Sequence, residues 1–114
     1  MSVQTIRDVL ISVLGDKVGH YQARKEWNDK YAIFGETSAT TELSADDRET
    51  ETVIAGEIFY YTSEEYDSNV NAICEALARA EVSYSIVTIG WEQENRQISY
   101  QIHWEVACGA GEIY

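Results

Sequence analysis

The chain contains no proline, only two cysteines and no apolar run long enough to cross a membrane. Without proline, no helix or strand is interrupted by a missing backbone N–H. A membrane-spanning helix needs roughly 18 or more consecutive apolar residues, so we expect a protein that does not span a membrane. Arg7 and Asp8 interrupt the apolar stretch near the N-terminus, which argues against a signal peptide and predicts a cytoplasmic protein.

Residues with catalytic or metal-binding chemistry are also scarce. Cys74 and Cys108 lack the C-x-x-C spacing of zinc and redox sites, and we expect two free thiols. The only histidines are His20 and His103. There is no G-x-S-x-G elbow and no glycine-rich phosphate loop. The sequence therefore predicts no cofactor, no metal and no enzymatic activity.

Basic residues are few: 8 lysines and arginines stand against 20 acids, a formal net charge of −12. Phosphate contacts require lysine and arginine, so the balance argues against direct binding of nucleic acid and of anionic membranes. Two special roles fit such a surface: it repels passing DNA, or it mimics DNA.

Hydrophobic periodicity predicts one domain over residues 1–114, of class α+β, in the order α-β-β-β-α-β-β. We expect a single antiparallel or mixed sheet of four to five strands, with two helices packed on one face. The predicted elements are a helix over Val3–Leu14, strands over 17–21, 31–36 and 49–61, a helix opened by Thr62-Ser63-Glu64-Glu65 as a capping box, and strands over 82–91 and 98–106.

Two segments look flexible. Residues 37–47 are polar and acidic and contain no core material, which is typical of a loop that is functional or disordered. Residues 107–114, beginning at the Ala-Cys-Gly run, are predicted to form a flexible C-terminal tail. The residues we expect to make contacts from the loop are Glu42, Asp46, Asp47 and Arg48. The loop lacks the spacing of a calcium site, and Arg48 would compete for its carboxylates.

Aromatic residues on the predicted solvent phase of the sheet are the second set of candidates. Phe59, Tyr61 and Trp91 lie in this phase, together with Val87 and Ile89. Several apolar side chains on one face are typical of a subunit interface. The alternative is that another segment, such as residues 22–30 with Trp27, covers them. The apolar phase of the strand over 82–91 also switches near Val87, which indicates a β-bulge.

An enzyme hypothesis rests on His103, which lies between Gln101 and Glu105 on the polar phase of the last strand. A general base oriented by a carboxylate would look similar, but it would need a nucleophile and a deep pocket. An exposed strand histidine is the simpler interpretation.

Three sequence stretches carry a family resemblance: KYAIFGE at residues 30–36, SADD at 44–47 and ETVIAGEIFYYTSEEYDSNVNAICEAL at 51–77. With the N-terminal helix, they resemble small tail-completion and tail-terminator proteins of long non-contractile phage and prophage tails. The likeness lies in the order and texture of the elements over about residues 3–106.

The resemblance implies a subunit with a sheet flanked by helices that assembles as a ring, commonly a hexamer, at the head-proximal end of the tail. Such a ring stops tube growth and presents a surface for head joining, so the implied partners are further copies of the chain and tail-tube or head-connector proteins. The implied location is the host cytoplasm during assembly and then the virion tail. The loop at 37–47 would project into the lumen or toward the next ring.

Two other functions fit the same sequence. One is a different head-to-tail connector component, since these are also small ring-forming proteins. The other is an acidic inhibitor that mimics DNA and occupies a basic cleft on its partner, in keeping with the net charge of −12.

Overall fold

A computed structural model describes residues 1–43 and 50–114 of the chain. Within these ranges the elements follow the predicted order α-β-β-β-α-β-β. They are α1 (Gln4–Leu14), β1 (Val18–His20), β2 (Tyr31–Leu43), β3 (Thr50–Thr62), α2 (Ser68–Arg79), β4 (Ser83–Glu92) and β5 (Gln97–Cys108).

The strands form one mixed five-stranded sheet in the order β1-β2-β3-β5-β4. β1 pairs parallel to β2, and every other neighbouring pair is antiparallel. The parallel pair follows from the long loop between β1 and β2, which carries the chain back to its starting end. The predicted α+β class, with one antiparallel or mixed sheet, is confirmed.

The core lies between one face of the sheet and the two helices. Side chains alternate along a strand, so one phase of β3 and of β5 points to the helices. From the helices, α1 contributes Ile6 and Leu10, and α2 contributes Ile73 and Leu77; all four are fully buried. The sheet contributes Ala32, Phe34, Ile54, Ile58, Tyr60, Ile102, Trp104 and Val106. In the described part of the chain, no helix is long and apolar enough to span a bilayer.

The second helix begins later than predicted. Thr62 is the last residue of β3 rather than a helix cap, and its hydroxyl accepts a hydrogen bond from the Glu64 N–H at 3.1 Å. Asp67 is the N-cap, and its carboxylate accepts from the Asn69 N–H at 2.9 Å. The buried Tyr60 hydroxyl donates to the same carboxylate at 2.6 Å, so cap and core are joined. The capping box on Thr62 is therefore wrong.

The predicted loop at 37–47 is wrong for its first part. Residues 37–43 continue β2 and pair with β3, in a register that includes Ala39 with Ile54 and Thr41 with Thr52. Threonine is a good strand former, and pairing with β3 extends β2 although residues 37–41 are exposed and mostly polar. Asp46, Asp47 and Arg48 lie outside the described residues.

The C-terminal segment is held in place rather than free, contrary to the predicted flexible tail over 107–114. Ala107 and Cys108 belong to β5, and Cys108 is fully buried. Ile113 packs against the core, and its carbonyl accepts a hydrogen bond from the Val3 N–H at 2.8 Å. Spacing alone could not reveal this anchor, because the Cys-Gly-Ala-Gly run that precedes it has the composition of a loop.

Candidate assembly surface

β4 forms one edge of the sheet. Its inner side pairs with β5, and within residues 1–43 and 50–114 no strand pairs with its outer side. An edge strand of ten residues leaves a row of backbone N–H and C=O groups available to another strand. The local backbone is therefore suited to pairing with a further chain.

A β-bulge sets the direction of the β4 side chains. The register with β5 shifts between Ile86 and Thr88, which confirms the bulge predicted from the change of apolar phase. Because of this shift, Ile86 is paired with Ile102 and Trp91 with Ile98, both on the helix side of the sheet. Directly paired residues share a face. The bulge thus keeps the apolar residues on both sides of it on one face.

This geometry corrects the predicted grouping of Phe59, Tyr61 and Trp91. Phe59 is paired with Gln101 and Tyr61 with Ser99, on the face away from the helices. Trp91 lies on the opposite face, so the three residues do not form one patch. The apolar set that does lie along the edge includes residues that the prediction left out. It consists of Tyr84, Ile86, Val87, Ile89 and Trp91, and we call it the β4 stripe.

The β4 stripe is exposed along its whole length. The relative exposure of its five residues runs from 38% at Tyr84 to 61% at Ile89. Helix α2 contacts β4 but leaves all five stripe residues exposed. Five exposed large apolar residues within eight positions of one edge strand are more than the scattered exposure of an ordinary surface.

The stripe is also neutral in a strongly acidic chain. No charged residue occurs from Ser83 to Trp91, and the first acid is Glu92 at the strand end. Edge strands that avoid association commonly carry lysine or other charges. β4 carries only Glu92, at its end, and the bulge is the one other such device along the strand.

The β1 part of the opposite edge of the sheet is covered. β1 has only three residues, and the chain then folds back over it. A Cβ atom on Gly19 would collide with the carbonyl oxygen of Gln22 and lie 3.2 Å from the Trp27 ring. The Tyr21 N–H donates to the Phe34 carbonyl at 2.8 Å, which closes the end of this edge. Little of the β1 backbone is left for a further strand.

A polar cluster around Glu36 fastens this covered edge. Its carboxylate contacts His20 Nε2 at 2.6 Å and accepts from the Tyr114 hydroxyl at 2.6 Å. The His20 ring stacks between Tyr21 and Phe34, with ring centroids 4.4 and 4.7 Å away. Burial acts to raise the pKa of Glu36, but the hydrogen bonds from Tyr114 and His20 outweigh it and hold that pKa below its ordinary value.

Residues 22–30 cover part of the face away from the helices, which was the alternative to an interface for Tyr61. Tyr61 stacks on Tyr31 with ring centroids 5.1 Å apart, and Trp27 lies 6.2 Å from Tyr31. Phe59 is half-buried beside them. For Tyr61 the covering segment is therefore present in the same chain, whereas none covers Trp91 in the described residues.

Residues 22–30 are held by hydrogen bonds to β5 and to the residue that follows β3. Buried Gln97 donates from its side-chain amide to the Asn28 carbonyl. The Asp29 carboxylate accepts from the Ser63 N–H at 2.7 Å and from the Ser63 hydroxyl at 2.9 Å. These contacts make residues 22–30 a fixed lid over this end of the sheet.

His103 lies in a half-buried network rather than on an open surface. Its Nδ1 is 2.6 Å from the Glu57 carboxylate, and the Gln101 amide donates to the same carboxylate at 3.0 Å. Glu105 lies 3.9 Å from Nε2. A carboxylate–imidazole pair can move a proton, but in the described residues no serine, threonine or cysteine is hydrogen-bonded to the ring, including Ser85, its cross-strand neighbour on β4. His103 also does not line the cleft of about 440 Å³ beside α1, whose walls include Arg7, His20 and Tyr114.

The remaining predicted contacts give no site. Asp46, Asp47 and Arg48 are outside the described residues, and Glu42 is placed only as part of the β2 backbone. In the described ranges, no group of three or more histidine, cysteine or acidic residues could hold a metal ion.

Comparison with known proteins adds no name to this geometry: no protein-family model matches the chain, and no curated protein matches its sequence.

Proposed function

We propose that this chain is a structural subunit of a phage or prophage tail, which assembles as a ring at the head-proximal tail end and acts there as a terminator or completion protein. The observation that carries the proposal is the bare, neutral β4 stripe on a free sheet edge. A protein that works by self-assembly needs such a surface, whereas an isolated monomer would be exposed to unspecific aggregation.

A second copy of the chain is the partner that best fits the stripe. Two subunits that each carry a net charge of −12 repel one another over most of their surfaces. Contact at an edge that contains no charge from Ser83 to Trp91 avoids that repulsion. The stripe also offers Trp91 and Tyr84, and large aromatic residues of this kind dominate interface energies.

The tail role rests on the resemblance of residues 30–36, 44–47 and 51–77 to tail-terminator and tail-completion proteins. An acidic ring suits that role, because like charge keeps passing DNA from adhering to the lumen. In this proposal the subunits meet in the host cytoplasm, join tail-tube or head-connector proteins and remain in the virion tail. A different head-to-tail connector would use the same ring and the same edge.

Light scattering on the column-purified protein tests the proposal, at low and high salt and over a range of concentrations. We expect a mass that is a small multiple of the 12.9 kDa subunit, and a larger assembled share at high salt, where charge repulsion between subunits is screened. Negative-stain images should then show closed rings. Assembly into open fibres or unspecific aggregates, instead of a species of fixed mass, would contradict the ring.

The acidic-inhibitor alternative makes the opposite salt prediction. A DNA mimic binds a basic partner through charge, so capture of basic host enzymes from a lysate should be strong at low salt and lost at high salt. A strict monomer that shows such capture would replace the tail proposal.

A further inference from the structure

A second unpaired stretch of strand lies on the opposite edge of the sheet, beyond the part that β1 covers. β1 pairs with β2 only at Ala32, Ile33 and Phe34, whereas β2 continues to Leu43. In the described part of the chain, no strand pairs with the outer side of residues 37–43. The subunit therefore has two unpaired stretches of strand, β4 at one edge of the sheet and this arm of β2 at the other.

From Thr37 to Thr41 the β2 arm is as free of charge as β4 is from Ser83 to Trp91, and Glu42 follows. Residues 37–41 read Thr-Ser-Ala-Thr-Thr, carry no charge and are all exposed. β-Branched threonine favours an extended strand, so the arm holds the geometry that edge pairing needs. Its inner side is already fixed by pairing with β3, and the Thr41 and Thr52 hydroxyls are hydrogen-bonded at 3.0 Å.

The strand directions of the two edges are compatible. Counting across the sheet from β2 through β3 and β5 to β4, each neighbouring pair is antiparallel, so β4 runs opposite to β2. Rotation about a ring axis keeps every subunit in the same sense along that axis. β4 of one copy would thus meet β2 of the next in the antiparallel sense, the more stable form of pairing.

We propose that the β4 edge of one subunit pairs with the β2 arm of the next copy, so that the sheet continues from subunit to subunit. The inference rests on the proposed self-assembly and names both surfaces of its interface. Closed rings require such a heterologous contact, in which two different patches of one subunit match.

The alternative is a two-fold contact in which β4 pairs with β4. The bulge at Ile86–Thr88 lies near the middle of the ten-residue strand, so that arrangement would set one bulge against another. The β2 arm has a register shift of its own at its start, between Glu36 and Ser38, but its pairing is regular from Ser38 to Leu43, so it offers β4 a regular partner instead.

Two blocked variants distinguish these contacts. The first carries Ile89→Lys and Trp91→Lys and closes the β4 edge. The second carries Ser38→Lys and Thr40→Lys and closes the β2 arm. Each change lowers the net negative charge, so a loss of association cannot come from added repulsion. A Ser38→Thr, Thr40→Val protein is the matched control for the arm, because it keeps a neutral, strand-forming sequence.

The masses of the separate and mixed proteins are then measured by light scattering. We expect wild type and the arm control to assemble, each blocked variant alone to be monomeric, and an equimolar mixture of the two blocked variants to form a species of twice the 12.9 kDa mass. Each partner in that mixture supplies the one edge that the other lacks.

Other outcomes separate the failure of this interface from the failure of self-assembly. Dimers formed by the arm-blocked variant alone would overturn the β4–β2 contact in favour of two-fold pairing. Monomers in the mixture, with both variants folded by circular dichroism, would also overturn it. A wild-type protein that stays monomeric throughout would overturn the proposed function itself.

Discussion

The β1 and β4 edge strands of this sheet differ in how far the rest of the chain covers them. At the β1 edge, three residues are covered by the returning chain and fastened through Glu36, His20 and Tyr114. At the β4 edge, ten residues carry an uncovered apolar stripe. Tyr21 and Trp91 are each 58% exposed, yet only Tyr21 is held by its own chain, through a hydrogen bond to the Glu36 carbonyl.

A small domain that protects the β1 part of one edge has the means to protect β4 as well. Lysine, proline or a short covering segment would have closed β4 at little cost. Leaving that edge neutral and apolar is what a subunit needs if another copy completes the sheet.

The largest expected effect follows from charging the bare edge. Replacing Ile89 and Trp91 by lysine should weaken self-association by about 30-fold or more, since losing a central interface aromatic commonly costs about 2 kcal/mol or more. Dilution experiments by analytical ultracentrifugation measure the change. The matched control is Tyr66→Lys, because Tyr66 is 93% exposed in the turn before α2 and lies on neither edge. Equal weakening by both variants would mean that β4 has no special role.

The next largest effect is expected on the free energy of unfolding, when one glycine on each edge strand is replaced by alanine. Gly19→Ala places a Cβ against the Gln22 carbonyl and should lower the free energy of unfolding by about 1–3 kcal/mol, as overpacking does. Gly90→Ala on β4 meets only the Ser99 hydroxyl at 3.5 Å, an ordinary contact, and should change the stability by less than about 0.5 kcal/mol. Urea unfolding compares the two. Equal costs would show that β1 is no more tightly covered than β4.

A smaller and reversible effect is expected from acid. Because the pKa of Glu36 is lowered in the folded protein, its contribution to stability is complete above the ordinary carboxyl pKa and is lost as the pH falls through the lowered value. Amide protection, taken relative to the intrinsic exchange rate at each pH, should therefore be lost in acid at β1 and the C-terminal segment before it is lost in the core of β3. Glu36→Gln should remove this step, and an unchanged acid profile in that variant would contradict the fastening role of Glu36.

The smallest effect should follow from Tyr114→Phe, which removes one hydrogen bond to Glu36 and keeps the ring. We expect a loss of about 0.5–1.5 kcal/mol in unfolding free energy, with unchanged self-association. A calorimetric scan and a light-scattering series on the same sample measure both. Weaker self-association in this variant would show that the β1 edge also takes part in assembly, which would contradict the assignment of assembly to β4.

Element order and sheet phase could be predicted from the sequence because they rest on local periodicity. Ile54, Ile58 and Tyr60 share one phase of β3, Glu57 lies in the other, and the bulge near Val87 is visible as a change of apolar phase. The face of Trp91 was missed, although that same bulge determines it, because the two halves of β4 were assigned to different faces.

Other features depend on contacts between distant parts of the chain. Glu36 and Tyr114 are hydrogen-bonded although they lie 78 positions apart in the sequence, and no local sequence pattern predicts that contact. The arm at residues 37–43 looked like a loop because its sequence is polar, and only pairing with β3 makes it a strand. For the same reason, Asp67 rather than Thr62 caps α2: the pairing of β3 with β5 continues to Thr62 and Ile98 and delays the helix.

Hydrogen exchange along β4 as a function of protein concentration tests most directly whether a second copy completes this edge. We expect β4 amides that are unpaired in the monomer to exchange at least about tenfold more slowly at high concentration than at low concentration, because edge pairing closes them. Exchange at β1 should stay the same, and the Ile89→Lys, Trp91→Lys protein should show no protection of β4 at either concentration. Equal β4 exchange at both concentrations, in a wild-type sample that light scattering shows to be assembled, would mean that another surface holds the subunits together.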